Sequence, residues 1–206
     1  MKITRITKQE RRDRYNIFVD GKFCAALSAE LLLEARIAEG DDLAPGQLDP
    51  FLDRDAVGKV VARAFRYLAQ RPHSEHELRI KLTRKEVEPD LVEEAFVRLR
   101  ERGYLDDAAF ARQWVEERGI DRGPRLLSAE LRRKGVADEV IEQVVVNDET
   151  EQVAAARDLS AKRLARLSGE SPATVRRRLS DHLARGGYSY DVIRRALDEL
   201  TSATTN

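Results

Sequence analysis

Leu127-Ser128-Ala129-Glu130-Leu131-Arg132-Arg133-Lys134-Gly135-Val136 is the stretch on which the fold turns, because its pattern occurs three times in the chain. Leu127, Leu131, Lys134, Val136, Val140 and Ile141 stand forty-nine residues after Leu78, Leu82, Lys85, Val87, Leu91 and Val92. A shift of fifty-two finds Leu179, Leu183, Tyr188, Val192 and Ile193, with Ala196 and Leu197 where the second copy has Val144 and Val145. Self-similarity at this period marks an array whose units bury apolar faces partly against each other and offer one long surface. The leucines at the repeated positions are therefore expected in the core, and the array is expected to be elongated.

Working outward, each copy reads as three helices. Val57, Val60, Val61, Ala64, Phe65 and Leu68 form one apolar stripe at helical spacing, ended by Pro72. Ser74 and Glu77 have capping-box spacing, so a helix is predicted from about residue 75 to 85. Pro89 suits the first turn of the next helix and Gly103 its end. The second copy predicts helices over about 107–117, 124–134 and 137–146, and the third over about 149–167, 172–185 and 190–200. The third is the most divergent, since its first helix aligns only with a gap.

The first fifty residues differ. Arg14 to Val19 and Lys22 to Leu27 flank Asp20-Gly21, a hairpin signal because a type I′ turn needs positive φ at both central residues. Ser28 reads as the N-cap of a short helix reaching Ala38 and stopped by Gly40, and residues 41–50, with Pro45-Gly46, read as a linker. The fold expected is mainly α: a β-hairpin and helix module over 1–52, then helix-turn-helix-like three-helix repeats over 55–103, 104–147 and 148–201.

Composition limits the function classes. Of 206 residues, 42% are hydrophobic, 36% charged and 6% aromatic, which suits small cores with much wet surface. A single cysteine, Cys24, excludes an internal disulfide and any multi-cysteine metal site, and is expected to pack in the hairpin. No apolar run approaches membrane-spanning length and no signal-peptide segment opens the sequence, so a soluble, cytoplasmic chain is expected. His73 and His76 lack the spacing of a zinc-protease helix and read as solvated cap residues. Trp114 aligns with Phe65 and reads as core. Without a phosphate-cradling glycine loop or a nucleophile with a base at defined spacing, no enzyme, cofactor or metal is expected.

Net charge is zero, which argues against a non-specific polyelectrolyte binder but hides segregation. The second helix is basic in every copy: Arg79, Lys81, Arg84 and Lys85; Arg125, Arg132, Arg133 and Lys134; Arg176, Arg177 and Arg178. Some of these cations also complement a helix C-terminus, at about 0.3–1 kcal/mol each. Threefold recurrence points to a shared partner-binding surface. The third helix leans acidic, with Asp138, Glu139 and Glu142 in the second copy. That disfavours reading a DNA groove with this helix, as helix-turn-helix proteins do, and favours a partner of mixed charge.

Gly103-Tyr104-Leu105-Asp106-Asp107-Ala108-Ala109-Phe110-Ala111 has its own physical reading: Gly103 ends one helix, Tyr104 and Leu105 pack the corner, Asp106 caps the next, and Phe110 begins its apolar face. It also closely resembles the signature of the RecX family, regulators of the RecA recombinase. Leu127 to Val136 resembles that family's second-helix pattern, and the likeness covers about residues 55–200. The resemblance implies a non-enzymatic modulator that lodges in the helical groove of the RecA filament on single-stranded DNA, and a monomer is expected. It implies restraint of strand exchange, ATP hydrolysis and the co-protease activity behind the SOS response. The family supplies no catalytic set, so the partner-binding candidates are the repeated cations. A DNA-binding helix-turn-helix-like module, favoured by the basic second helices and opposed by the acidic third ones, and a purely structural helical adaptor are the alternative readings; a weak direct contact with DNA is expected beside the filament.

Overall fold

The computed structural model describes residues 1–145 and 148–204, in two compact units. One comprises residues 1–71 and 79–104; the other joins residues 72–78 to the chain from Leu105 onward.

The first unit opens with an antiparallel sheet of β1 (Ile3–Lys8), β2 (Arg14–Val19) and β3 (Lys22–Ser28) in that order. Asp20 (φ 49°) and Gly21 (φ 78°) make the expected turn. Strand β1 adds to the hairpin: its Ile3 is buried with Ile17, Leu27 and Leu31. Cys24 is exposed rather than packed. Ile17 pairs with Ala25 and Phe18 with Phe23, so Cys24 is the extra residue of a β-bulge and is turned out of the ladder.

Ser28 caps α1 (Ala29–Ala35), its Oγ accepting from the Leu31 N–H at 3.3 Å. The helix ends three residues earlier than the sequence suggests, because Arg36, not Gly40, takes the left-handed cap at φ 49°. The expected linker is part of this core. Leu43 and Leu48 are buried with the sheet, and Asp42 bridges to Lys2.

Helix α2 (Asp49–Leu68) starts before the apolar stripe and packs on β3, α1 and α4. Asp55 is 4% exposed and receives both Arg14 guanidinium nitrogens at 2.7 Å and the Lys59 ammonium at 2.9 Å. Burial pushes its pKa up, but these cations outweigh burial and hold it below the ordinary value. Helix α4 (Pro89–Glu101) covers the stripe with Val92, Ala95, Phe96 and Leu99. Helix α3 (Glu75–Thr83) starts in the second unit and ends in the first.

The second unit holds two further three-helix groups: α5 (Asp107–Arg118), α6 (Pro124–Arg133) and α7 (Asp138–Val144), then α8 (Glu149–Leu164), α9 (Pro172–Arg185) and α10 (Tyr190–Thr204). Each has its own core, one on Phe110, Leu127, Leu131 and Ile141, the other on Leu179, Leu183, Val192 and Leu197. Helix α10 runs four residues past the expected end at Leu200. The predicted end of α7 at Val146 lies outside the described residues. All six repeated leucines, Leu78, Leu82, Leu127, Leu131, Leu179 and Leu183, are buried.

The corner around Gly103 folds as its residues dictate. Gly103 adopts φ 71°, and Tyr104 donates its N–H back to the Leu99 carbonyl at 2.9 Å. Asp106 Oδ1 accepts from Ala108 and Ala109 at 2.8 and 2.9 Å. Leu105 is buried, while Tyr104 is exposed apart from an edge-on contact with Phe65 at 4.7 Å.

Candidate partner-binding surface

The second helices place their cations by helical phase. Leucines four apart hold one face in each core; Arg79 and Lys81 stand between them in α3, whereas the cations of α6 and α9 flank the pair. The structure then divides the eleven candidates into two groups.

One group is engaged within its own fold. Arg79 pairs with Glu93 of α4 and lies 4.8 Å from the Phe96 ring centroid. Lys81 lies 4.9 Å from the Tyr67 centroid. Arg132 meets Asp138 at 2.6 Å, Arg176 meets Asp198 at 2.8 Å, and Arg178 meets Glu170 at 2.6 Å. In every repeat, then, one second-helix arginine is bonded to a third-helix carboxylate, and part of the charge asymmetry is cancelled internally. Such exposed pairs contribute about 0–1 kcal/mol and leave the guanidinium able to exchange partners.

Lys134 is more deeply committed. Its ammonium meets Glu77 at 2.8 Å and lies 4.0 Å from the Trp114 and 5.6 Å from the Phe110 ring centroids. Trp114 is half-buried and packs at the edge of its repeat's core: it stacks on Phe110, donates Nε1–H to Glu130 at 3.0 Å and has Arg118 over its ring at 4.2 Å. Ser74 and Glu77 form the predicted capping box, with the Glu77 N–H on Ser74 Oγ at 3.2 Å. Ser74 Oγ also donates to the Lys134 carbonyl at 2.5 Å. The capping box and Lys134 thus fasten the start of α3 to the end of α6, which explains why residues 72–78 join the second unit. His73, expected in solvent, is 4% exposed beside this joint, whereas His76 is exposed.

The other group is uncompensated. Arg84, Lys85, Arg125, Arg133 and Arg177 are exposed and make no ion pair among the described residues. At least one of them stands in each repeat: in the turn just past α3, which ends at Thr83 rather than near residue 85, at both ends of α6, and in α9. Their carrier helices are fixed by buried leucines, so these charges are presented without cost to the core. Glu139 and Glu142 of α7 are likewise exposed. A further basic face lies on α2, where Lys59, Arg63 and Arg66 recur at steps of four and three; that spacing is its signal in the sequence, beside the helix's apolar stripe.

Among the described residues no cluster of three or more His, Cys, Asp or Glu side chains could hold a metal ion, and no helix is long and apolar enough to cross a membrane.

Comparison with known proteins finds four family models along the chain. The N-terminal domain model of regulatory protein RecX matches residues 1–44, and the models of its first, second and third three-helix domains match 61–99, 106–145 and 149–197. A regulatory protein RecX of Listeria welshimeri is 30% identical over 207 residues, covering 98% of this chain and 77% of that protein. One of Leuconostoc mesenteroides is 28% identical, covering 97% and 76%. A crystal structure of regulatory protein RecX superimposes with TM-score 0.75 at 26% identity, covering 96% of this chain and 98% of the other. RecX from Lactobacillus salivarius, at 24% identity and TM-score 0.64 over 72% of this chain, shares the fold.

Proposed function

Because the chain belongs to the RecX family of regulatory proteins, we propose that it binds the helical groove of a RecA-type recombinase filament on single-stranded DNA and restrains the filament's activities. Strand exchange, DNA-stimulated ATP hydrolysis and co-protease activity all depend on the assembled filament, so one binding event lowers all three. The chain acts without catalysis, as a cytoplasmic monomer, through repeats assigned to 55–103, 104–147 and 148–201 behind a module over 1–52.

The observation that carries this reading is the recurrence of uncompensated cations, Arg84 and Lys85 in the turn after α3, Arg125 and Arg133 on α6, then Arg177 on α9, on or just past the second helix of each repeat. A filament is itself periodic. Repeats that each contact a protomer gain avidity through effective concentration, so weak contacts suffice. The neighbouring exposed carboxylates, Glu139 and Glu142, suit a protein surface of mixed charge better than bare phosphate.

Retention of the chain on immobilised recombinase, with and without single-stranded DNA and ATP, tests the assignment. Strong retention is expected only with all three components. Equal retention by recombinase alone contradicts groove binding, and no retention in any arm removes the assignment.

A further inference from the structure

Within the first unit, a cavity of about 870 Å³ opens between the N-terminal sheet, α2 and α4. Arg12, Arg63, Arg66, Arg98 and Arg102 line it, and none of these five makes an ion pair among the described residues. Arg14 and Lys59, also in the wall, share the Asp55 carboxylate, which leaves Glu30 as the other acidic group of the lining. A second hollow of about 360 Å³ shares Arg63 and Arg66 and adds Tyr67, Gln70 and Lys85.

Two properties of this trough define what it takes. The polar side chains of its lining are mostly donors, since guanidinium and ammonium groups have no acceptor. A polypeptide laid there would bring a backbone N–H at nearly every residue and find few acceptors, a costly mismatch. A deoxyribose-phosphate backbone brings charged oxygen acceptors and no donor, and arginine binds phosphate in bidentate fashion. The concave form also suits one strand, whereas a duplex is read by an element that protrudes into its groove.

The floor is the second property. Gly58 and Ala62 line the cavity on the side of α2 that carries Lys59, Arg63 and Arg66. Glycine inside a helix is destabilising relative to alanine, and a Cβ built on Gly58 would meet nothing within 4 Å. Packing in the folded chain does not require that glycine, and its bare backbone leaves the cavity floor open.

We propose that this trough binds the phosphodiester backbone of single-stranded nucleic acid, independently of the second-helix cations of the other two repeats. The arginines of α2 and α4 grip successive phosphates, and Gly58 and Ala62 let the strand reach the helix backbone.

The test is fluorescence anisotropy of a labelled 20-nucleotide oligodeoxythymidylate with the full chain across a salt series (about 20 nucleotides spans several such contacts). No recombinase is present, so the result is separate from the filament reading. Replacing Arg63, Arg66 and Arg98 by alanine should weaken binding about tenfold or more and flatten the slope of log affinity against log salt by about 2, at roughly 0.7 for each phosphate no longer neutralised. Gly58→Leu, which fills the floor and removes no charge, should weaken binding while the helix is held or stabilised. Arg125→Ala with Arg133→Ala should leave binding unchanged. Undiminished affinity in the folded triple variant overturns the proposal; should that variant not fold, undiminished affinity in Gly58→Leu overturns it. Equal loss on removing Arg125 and Arg133, or displacement of the strand by polyglutamate at equal charge, does so too.

Discussion

Lys134 and Arg133 are neighbours with different roles. The lysine ammonium is held by Glu77 and the Trp114 and Phe110 rings, whereas the arginine is exposed and without an ion pair. Helical phase alone separates them. Reversing Lys134 would break a joint, so charge-reversal tests belong at Arg125, Arg133 and Arg177. His182 of α9 supplies a pH prediction. Burial, then the charges of Arg163 on α8 and Arg185 on its own helix, lower its pKa from 6.5, against an opposing pull from Asp121. The unfolded chain therefore takes up a proton near pH 6.5 that the fold resists. This histidine's effect is neutral above that value, and stability declines as pH falls through it. Thermal melts between about pH 7.5 and 5.5 should show a steeper loss for the parent than for His182→Gln. Identical slopes would contradict the assignment.

At the scale of elements, the recurring device is the joint between repeats. The start of α3 meets the turn after α6, and the start of α6 meets the turn after α9, where the Gly123 N–H donates to the Gly186 carbonyl at 2.7 Å. The turn position is Glu86, Gly135 and Gly187 in the three repeats, with φ 55°, 76° and 89°. A Cβ at Gly135 would stand 2.3 Å from His76 Cβ, and one at Gly187 2.5 Å from Leu126 Cβ. Glu86 is exposed and keeps its side chain. Left-handed φ alone thus tolerates glutamate, and the contact between repeats is what demands glycine. Gly135→Ala should cost about 1–3 kcal/mol, from strain and clash together. Glu86→Gly should change stability by about 0.5 kcal/mol or less, since relief of strain offsets added freedom in the unfolded chain. Equal costs in denaturant melts would refute the joint.

Much of this was legible because it is local. Asp20-Gly21, the Ser74–Glu77 box and Asp106 each act within four residues, and the leucine frame needs only a repeat. What escaped depends on distance or register. Strand β1 carries only Ile3 and Ile6 as apolar residues, too few for an alternation signal, and its pairing with β2 supplies the rest. Cys24 was misplaced because a bulge shifts the pairing beside it. Helix α3 reads as one repeat's own helix until Lys134, 57 residues beyond Glu77, claims its start. Among the candidate cations, type and spacing were visible, but which carboxylate reaches which guanidinium is set by the packing of separate helices.

For the whole molecule, the proposed function rests on exposed cations that recur in each repeat, while the N-terminal unit carries an arginine-lined trough. Exposed charges act mainly on association rate and are screened by salt, so their effect is greatest at low ionic strength. The most direct measurement is the rate of DNA-stimulated ATP hydrolysis by a RecA-type recombinase, with the chain and with its Arg125→Glu, Arg133→Glu, Arg177→Glu variant. The parent is expected to lower the rate, and the folded variant to lose most of this inhibition, most completely at low salt. A rate unchanged by the parent chain at saturating concentration would contradict the proposed function.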